Sequence, residues 1–347
     1  MIEGLYVIYI ILIISPFVRF FLSPHLTSIF LGFIAFFLGY NRSLGPDTMA
    51  YMKMFNDYSY SIKIFQTGNL EFLWLYFVWL LDSIGLGHKM GFAITAFLSI
   101  YIRTLAINIF FGKSKYLSVL GMITFISNDL IIRDLGQIRN GLMSSFFVLF
   151  VALSFTNASK IKRLLTGAFT FFSHISGLAG IIFYYMSSKY FYKNFILVTI
   201  LSGVFAIAAV EILYEITQLK VLDRLILYTS SENYLRTGSF PIFIFLSGFI
   251  LFLSFIFFKH LSEKQKRLVR LYSFAPIIYL SFIQFPVISS RLSSILISLN
   301  CLLIPILINL IIAKFVSYQR IFVYVCSLYL LVFVGTYYFY SFINTYI

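Results

Sequence analysis

Ile132-Arg133-Asp134-Leu135-Gly136-Gln137-Ile138-Arg139-Asn140-Gly141 separates two long apolar runs, Tyr116–Ile131 and Leu142–Phe155. Two arginines, a carboxylate, a glutamine and an asparagine thus stand at the mouth of a hydrophobic slab. A charge at bilayer depth costs roughly 2.5–3.5 kcal/mol on insertion scales. A chain that keeps such a cluster there keeps it for a partner, a cavity or a ligand. The flanking runs decide the fold class: both read as helices in lipid, and the polar decapeptide joins them. The rest of the sequence reads as walls around it.

Composition agrees. Of 347 residues, 61% are hydrophobic and 11% charged, with a mean hydropathy of +0.95. This points to an all-α, polytopic membrane protein, with residues 1–347 forming a single integral membrane domain. The start, Met1-Ile2-Glu3-Gly4, has no basic stretch and no small-residue cleavage site follows. The first apolar segment therefore reads as a retained helix rather than a signal peptide. Cys301 and Cys326 lie inside apolar runs and no Cys-x-x-Cys exists. A zinc or disulfide framework is not expected, nor any other metal or cofactor. The net charge of +14 is scattered between apolar runs. That pattern fits the positive-inside rule and not the contiguous basic face of a nucleic-acid binder.

About ten runs read as full crossings: Leu5–Leu22, His25–Tyr40, Gly91–Phe111, Tyr116–Ile131, Gly141–Phe155, Phe195–Ile212, Pro241–Phe258, Leu271–Val287, Leu292–Ile312 and Ile321–Phe342. Leu164–Met186 is different. Lys160, Lys162 and Arg163 precede it, Lys189 and Lys193 follow it, and its middle reads Phe172-Ser173-His174-Ile175-Ser176-Gly177. Basic residues at both ends and a small, polar centre predict a re-entrant pair that turns near His174. Residues 41–90 form an outer loop with an interfacial helix at Phe72–Leu81, its Trp74, Tyr76 and Trp79 at headgroup level. Residues 214–240 form a second outer loop. With the basic clusters taken as cytoplasmic, that side holds fifteen Lys and Arg and one acid, Glu263. The other side holds ten bases and eleven acids; Arg103, inside a helix, belongs to neither. So lopsided a division supports this topology, with any chemistry on the outer face.

The outer-face candidates carry more than one open reading. Arg133 and Arg139 are either snorkelling anchors or bidentate ligands of a lipid diphosphate, with Asp134 and Gln137 between them and Gly141 allowing close approach. Arg42 is likewise anchor or phosphate ligand. Asp47 follows Gly45-Pro46 and either caps a helix starting at Thr48 or acts as a base. Glu71 either complements a helix dipole or takes a proton. His174, between Ser173 and Ser176, is a structural hydrogen-bonder, a base or a phosphate ligand. Arg291 is a third arginine at an outer helix boundary. There is no Walker A, dinucleotide glycine fingerprint, His-Glu-x-x-His or Gly-x-Ser-x-Gly. ATP-driven transport, zinc proteolysis and serine hydrolysis thus lack motif support.

The order of these pieces resembles the EpsG family of bacterial exopolysaccharide polymerases, relatives of the Wzy O-antigen polymerases. Arg42, Gly45, Asp47 and Tyr51 match its pattern after the second helix, and Gly68 and Glu71 open the next stretch. Ile138, Arg139, Gly141 and Leu142 match its Ile-Arg-Gln-Gly-Leu-Ala run, with Asn140 and Met143 replacing Gln and Ala. His174 and Ser176 match a His in a Ser-rich break. Tyr214 and Arg291, the latter ahead of Leu303-Ile304-Pro305, complete the set. The resemblance implies an inner-membrane, multi-pass glycosyltransferase whose active site faces the periplasm. It would move a glycan from undecaprenyl diphosphate onto another lipid-linked repeat unit. Arg42, Tyr51, Arg133, Gln137, Arg139, Asn140, Tyr214 and Arg291 would bind substrate. His174, Asp47, Glu71 or Asp134 would supply the base. The implied partners are the undecaprenyl-diphosphate-linked oligosaccharide, the bilayer and, left open, a chain-length regulator. A lipid-linked oligosaccharide flippase, an O-antigen ligase and a scaffolding subunit are the rival readings.

Overall fold

A computed structural model describes residues 2–41, 48–56, 72–128, 130, 137–174, 176–201, 240–283 and 286–346. Among them every regular element is helical, as composition predicts. In chain order these are α1 (Ile2–Ile14), α2 (Pro24–Tyr40), α3 (Thr48–Asn56), α4 (Phe72–Ser83), α5 (His88–Phe111), α6 (Lys115–Asn128), α7 (Ile138–Phe155) and α8 (Lys160–Ser173). Then come α9 (Ser176–Met186), α10 (Tyr192–Leu201), α11 (Phe240–Ile256), α12 (Glu263–Ser281), α13 (Pro286–Ile297), α14 (Asn300–Ile312) and α15 (Ser317–Tyr346). They fall into two compact units, Met1–Leu178 with Asn300–Ile347, and Ala179–Leu299.

Helix ends follow local chemistry. The Ser23 hydroxyl accepts the Leu26 N–H, and Pro24 occupies the first turn, where its missing N–H costs nothing. Ser262 and Gln265 form a reciprocal capping box at the start of α12. α5 ends at Gly112, whose φ of +58° a side chain would oppose.

Beside a buried apolar core that includes Leu31, Leu38, Phe92 and Phe147, two helices of the first unit turn large apolar residues outward. α2 buries Thr27, Ser28, Gly32, Ala35 and Gly39 and exposes Leu26, Ile29, Phe30, Phe33 and Phe37. α8 buries Thr166, Gly167, Thr170 and Ser173 and exposes Ile161, Leu164, Leu165 and Phe169. Small and weakly polar residues face protein and large apolar ones face outward, as when the surrounding solvent is lipid. The threonine hydroxyls do not go unsatisfied: Thr166 donates to the Lys162 carbonyl at 2.9 Å and Thr170 to that of Thr166 at 2.8 Å. The small stripe lets backbones meet. A Cβ on Gly39 would lie 2.6 Å from the Phe92 carbonyl oxygen of α5. The chain is thus a membrane protein in its packing as well as its composition.

Among the described residues three helices are long and apolar enough to cross a bilayer: His88–Phe111, Ile138–Phe155 and Gln319–Tyr337. Ser289–Ile297 and Asn300–Ile312, taken together, make a fourth. Other apolar helices run 10–17 residues, so helix length does not establish ten full crossings. Breaks divide runs that read as single spans. Leu5–Leu22 becomes α1 and a 3₁₀ turn, Ser15–Phe20, with Pro16 inside it. The span expected at Leu271–Val287 begins instead at Glu263 and stops at Ser281, and Pro286 opens the next helix.

The second unit is knit by α12. Arg267 donates to the Tyr184 carbonyl at 3.0 Å and Arg270 to that of Ser187 at 2.9 Å, closing the C-terminal end of α9 with cations. Phe274 packs on the rings of Phe183 and Phe195. At the exposed start of α12, the hydrogen bond and charge of Lys266 hold the Glu263 carboxyl below its usual range.

Candidate functional site

Four helices of the first unit converge on the start of α7. α5 and α7 run parallel: Arg103 meets Ser145, and further along Phe110 meets Phe155 edge to face at 6.0 Å. α7 and α8 are antiparallel, and Phe146 stacks on Phe169 at 5.2 Å. Five residues on from Phe169 is His174, and five back from Phe146 is Gly141. Equal helical rise therefore sets His174 level with the first turn of α7.

That first turn carries Arg139. Its Nε donates to the Tyr51 hydroxyl at 3.4 Å, and its guanidinium carbon lies 5.5 Å from the Tyr51 ring centroid. Tyr51 is 3% exposed and belongs to a buried cluster with Met54, Phe55, Trp74, Val78, Leu81, Phe92 and Ile138. Trp74 meets Tyr51 edge to face at 5.8 Å and Phe55 at 5.5 Å. α3 thus begins at Thr48, where the sequence places a helix start, and its buried face holds Tyr51 beneath Arg139. Trp74 is a core residue and not the headgroup anchor expected; Tyr76 and Trp79 on the same helix are exposed. The reason is geometric, since α4 turns its Trp74 and Val78 face, one helical turn apart, onto α3.

Gln137 and Asn140 stand beside Arg139. Asn140 donates through Nδ2 to Gln137 Oε1 at 2.7 Å, tying the residue before α7 to its first turn. Asn140 is 5% exposed, and its Oδ1 is buried without a hydrogen-bond partner among the described residues. A buried acceptor in that state favours a ligand hydroxyl or a water.

His174 sits at a true break. α8 stops at Ser173, and His174 is extended, with φ −163° and ψ 138°. Gly177 lies so close to α8 that a Cβ there would overlap the Thr170 carbonyl. In a continuous helix, residues seven apart are about 10 Å apart along the axis. The chain therefore turns sharply at His174, where the sequence places a break in the helix. His174 is 7% exposed. The Ser176 N–H donates to its Nδ1 at 3.2 Å, and the Ser176 hydroxyl lies 2.8 Å from the same atom. An amide N–H needs a lone pair, so the neutral ring carries its proton on Nε2.

Of the residues expected at the site, Tyr51, Gln137, Arg139 and Asn140 come together, and His174 lies level with them. Arg291 is exposed on α13 in the second unit. Arg42, Asp47, Glu71, Arg133, Asp134 and Tyr214 lie outside the described residues. No group of three or more His, Cys, Asp and Glu able to hold a metal occurs among those described.

In the comparison to known proteins, residues 25–347 match the EpsG family. The chain belongs to the EpsG family. EpsG proteins are Wzy-like polymerases, so this member is placed in membrane polysaccharide synthesis. No curated protein and no solved structure matches the chain.

One residue of this EpsG protein escaped the sequence reading. Arg103, counted only as a base inside a helix, is fully buried on α5. Its signal was there in the spacing: Thr95, Ser99 and Arg103 recur every four residues, a polar stripe on an apolar helix.

Proposed function

We propose that the protein polymerises a lipid-diphosphate-linked glycan, with undecaprenyl diphosphate as the leaving group, at the periplasmic face of the bacterial inner membrane. The observation that carries this is Arg139, held on the first turn of α7 by the buried Tyr51 and level with His174. An arginine fork matches a diphosphate bidentately and stays charged at any working pH. Tyr51 engages the Nε edge, which fixes the plane of that fork. The Nε2–H of His174 donates a further hydrogen bond to the diphosphate or to a sugar. Asn140 Oδ1 accepts one from a sugar hydroxyl. A carboxylate, Asp47, Glu71 or Asp134, takes the proton of the acceptor hydroxyl. The acceptor oxygen then bonds to the anomeric carbon as that carbon's bond to the diphosphate oxygen breaks. The polyprenyl diphosphate leaves, and a single displacement inverts the anomeric centre. The arginines stabilise charge where it develops.

The test is the surface-glycan ladder of a deletion strain. Single-repeat caps are the expected result. Absence of surface glycan with precursor retained outside would instead indicate a ligase, and precursor retained inside a flippase.

A further inference from the structure

Arg103 is the largest fully buried side chain among the described residues, inside a helix long enough to cross a bilayer. An ionisable group at such a depth is retained for a purpose. Its contacts within the described residues are specific. Nε donates to Ser145 Oγ at 3.2 Å, a terminal nitrogen donates to the Gly141 carbonyl at 3.3 Å, and the guanidinium carbon lies 4.5 Å over the Phe125 ring. Ser145 Oγ lies 3.0 Å from the same Gly141 carbonyl and 2.9 Å from the Ser99 hydroxyl, so the two serines and the guanidinium form one network. Three helices, α5, α6 and α7, therefore meet on one guanidinium.

Gly141 closes the turn that carries Arg139: its N–H bonds the Gln137 carbonyl at 3.0 Å. A glycine inside a helix is a soft point, about 1 kcal/mol less favourable than alanine because its backbone is freer. Arg103 and Ser145 clamp the carbonyl of that soft residue from one side while Gln137 holds its N–H from the other. We propose that Arg103 is a positioning residue for Arg139, fixing the Gly141 carbonyl so that the first turn of α7 presents the Arg139 fork to the diphosphate. This rests on Arg139 binding the diphosphate, as read above. Arg103 itself is too enclosed to touch substrate.

The experiment is a double-mutant cycle in cells carrying Arg103→Met, Arg139→Ala or both, reading surface polymer per molecule of protein in the membrane. Arg139→Ala is expected to lower polymer about 100-fold and Arg103→Met about 10-fold. If Arg103 acts through Arg139, the double variant falls no more than about twofold below Arg139→Ala, because coupled residues are not additive. Arg103→Lys, which keeps a donor for the Gly141 carbonyl, should recover polymer to within about threefold of wild type. A double variant about 1000-fold down, the product of independent effects, overturns the positioning role while leaving Arg139 in place. Full polymer from Arg103→Met overturns it too. Full polymer from Arg139→Ala overturns the reading of the site itself. Should Arg103→Met fail to accumulate, Ser145→Ala replaces it in the cycle: non-additivity with Arg139→Ala supports the role, and a multiplicative loss overturns it.

Discussion

At the scale of single residues, the site is a set of polar groups held by apolar ones. Tyr51 is locked by Trp74 and Phe55, so its hydroxyl is a fixed partner for Arg139. Tyr51→Phe should keep the protein folded and lower polymerisation by about 3- to 10-fold, the loss of one long hydrogen bond worth about 1 kcal/mol. Quantified ladders at matched protein abundance check this, and unchanged ladders would show that Arg139 is oriented without the hydroxyl. His174 yields a sharper contrast. With Nδ1 engaged by the Ser176 N–H, the useful hydrogen is on Nε2. His174→Gln, which retains an amide N–H, should keep several times more activity than His174→Ala. Equal loss in both would argue for proton abstraction by the ring. The sequence marks His174 and Arg139 by their polarity on an apolar background. It does not mark Trp74 as core, because Trp74, Tyr76 and Trp79 look alike until α4 is rotated onto α3.

At the scale of elements, packing depends on residues that are absent as much as on those present. α2 meets α5 through Gly39, and the turn after α8 sets Gly177 against the Thr170 backbone. Gly39→Val would push carbons into the Phe92 carbonyl and the Ala93 backbone, and should destabilise by about 1–3 kcal/mol. The melting temperature of the detergent-purified protein reads this, and an unchanged value would mean that α2 and α5 separate freely. Gly177→Ala should be comparably harmful, because the neighbour it meets is backbone and cannot rotate away. The break between α8 and α9 is readable from Ser173-His174-Ile175-Ser176-Gly177, which offers little reason to continue a helix. The break inside Leu5–Leu22 is subtler, since Pro16 there supports a 3₁₀ turn in place of a clean stop.

For the molecule as a whole, membrane residence follows from its apolar helices and its family. We propose that Lys160 and Lys189, on either side of the α8–α9 break, both face the cytoplasm. In a background with Cys301 and Cys326 replaced, a cysteine at either position should react with an impermeant reagent only from the cytoplasmic side. Reaction of the Lys189 position from outside would remove the re-entrant turn. The sequence by itself determined helix class, membrane character and the polar segments worth attention, because composition and periodicity are local and lipid permits few backbone solutions; the family followed from the order of its motifs and the match over residues 25–347. Tertiary structure decided the rest. It set Tyr51 under Arg139, engaged His174 Nδ1 with Ser176, and turned Arg103 from a stray charge into a clamp on Gly141. Those facts depend on the register between helices, and register is set by small residues distant in sequence, such as Gly39 against Phe92, that no single stretch displays.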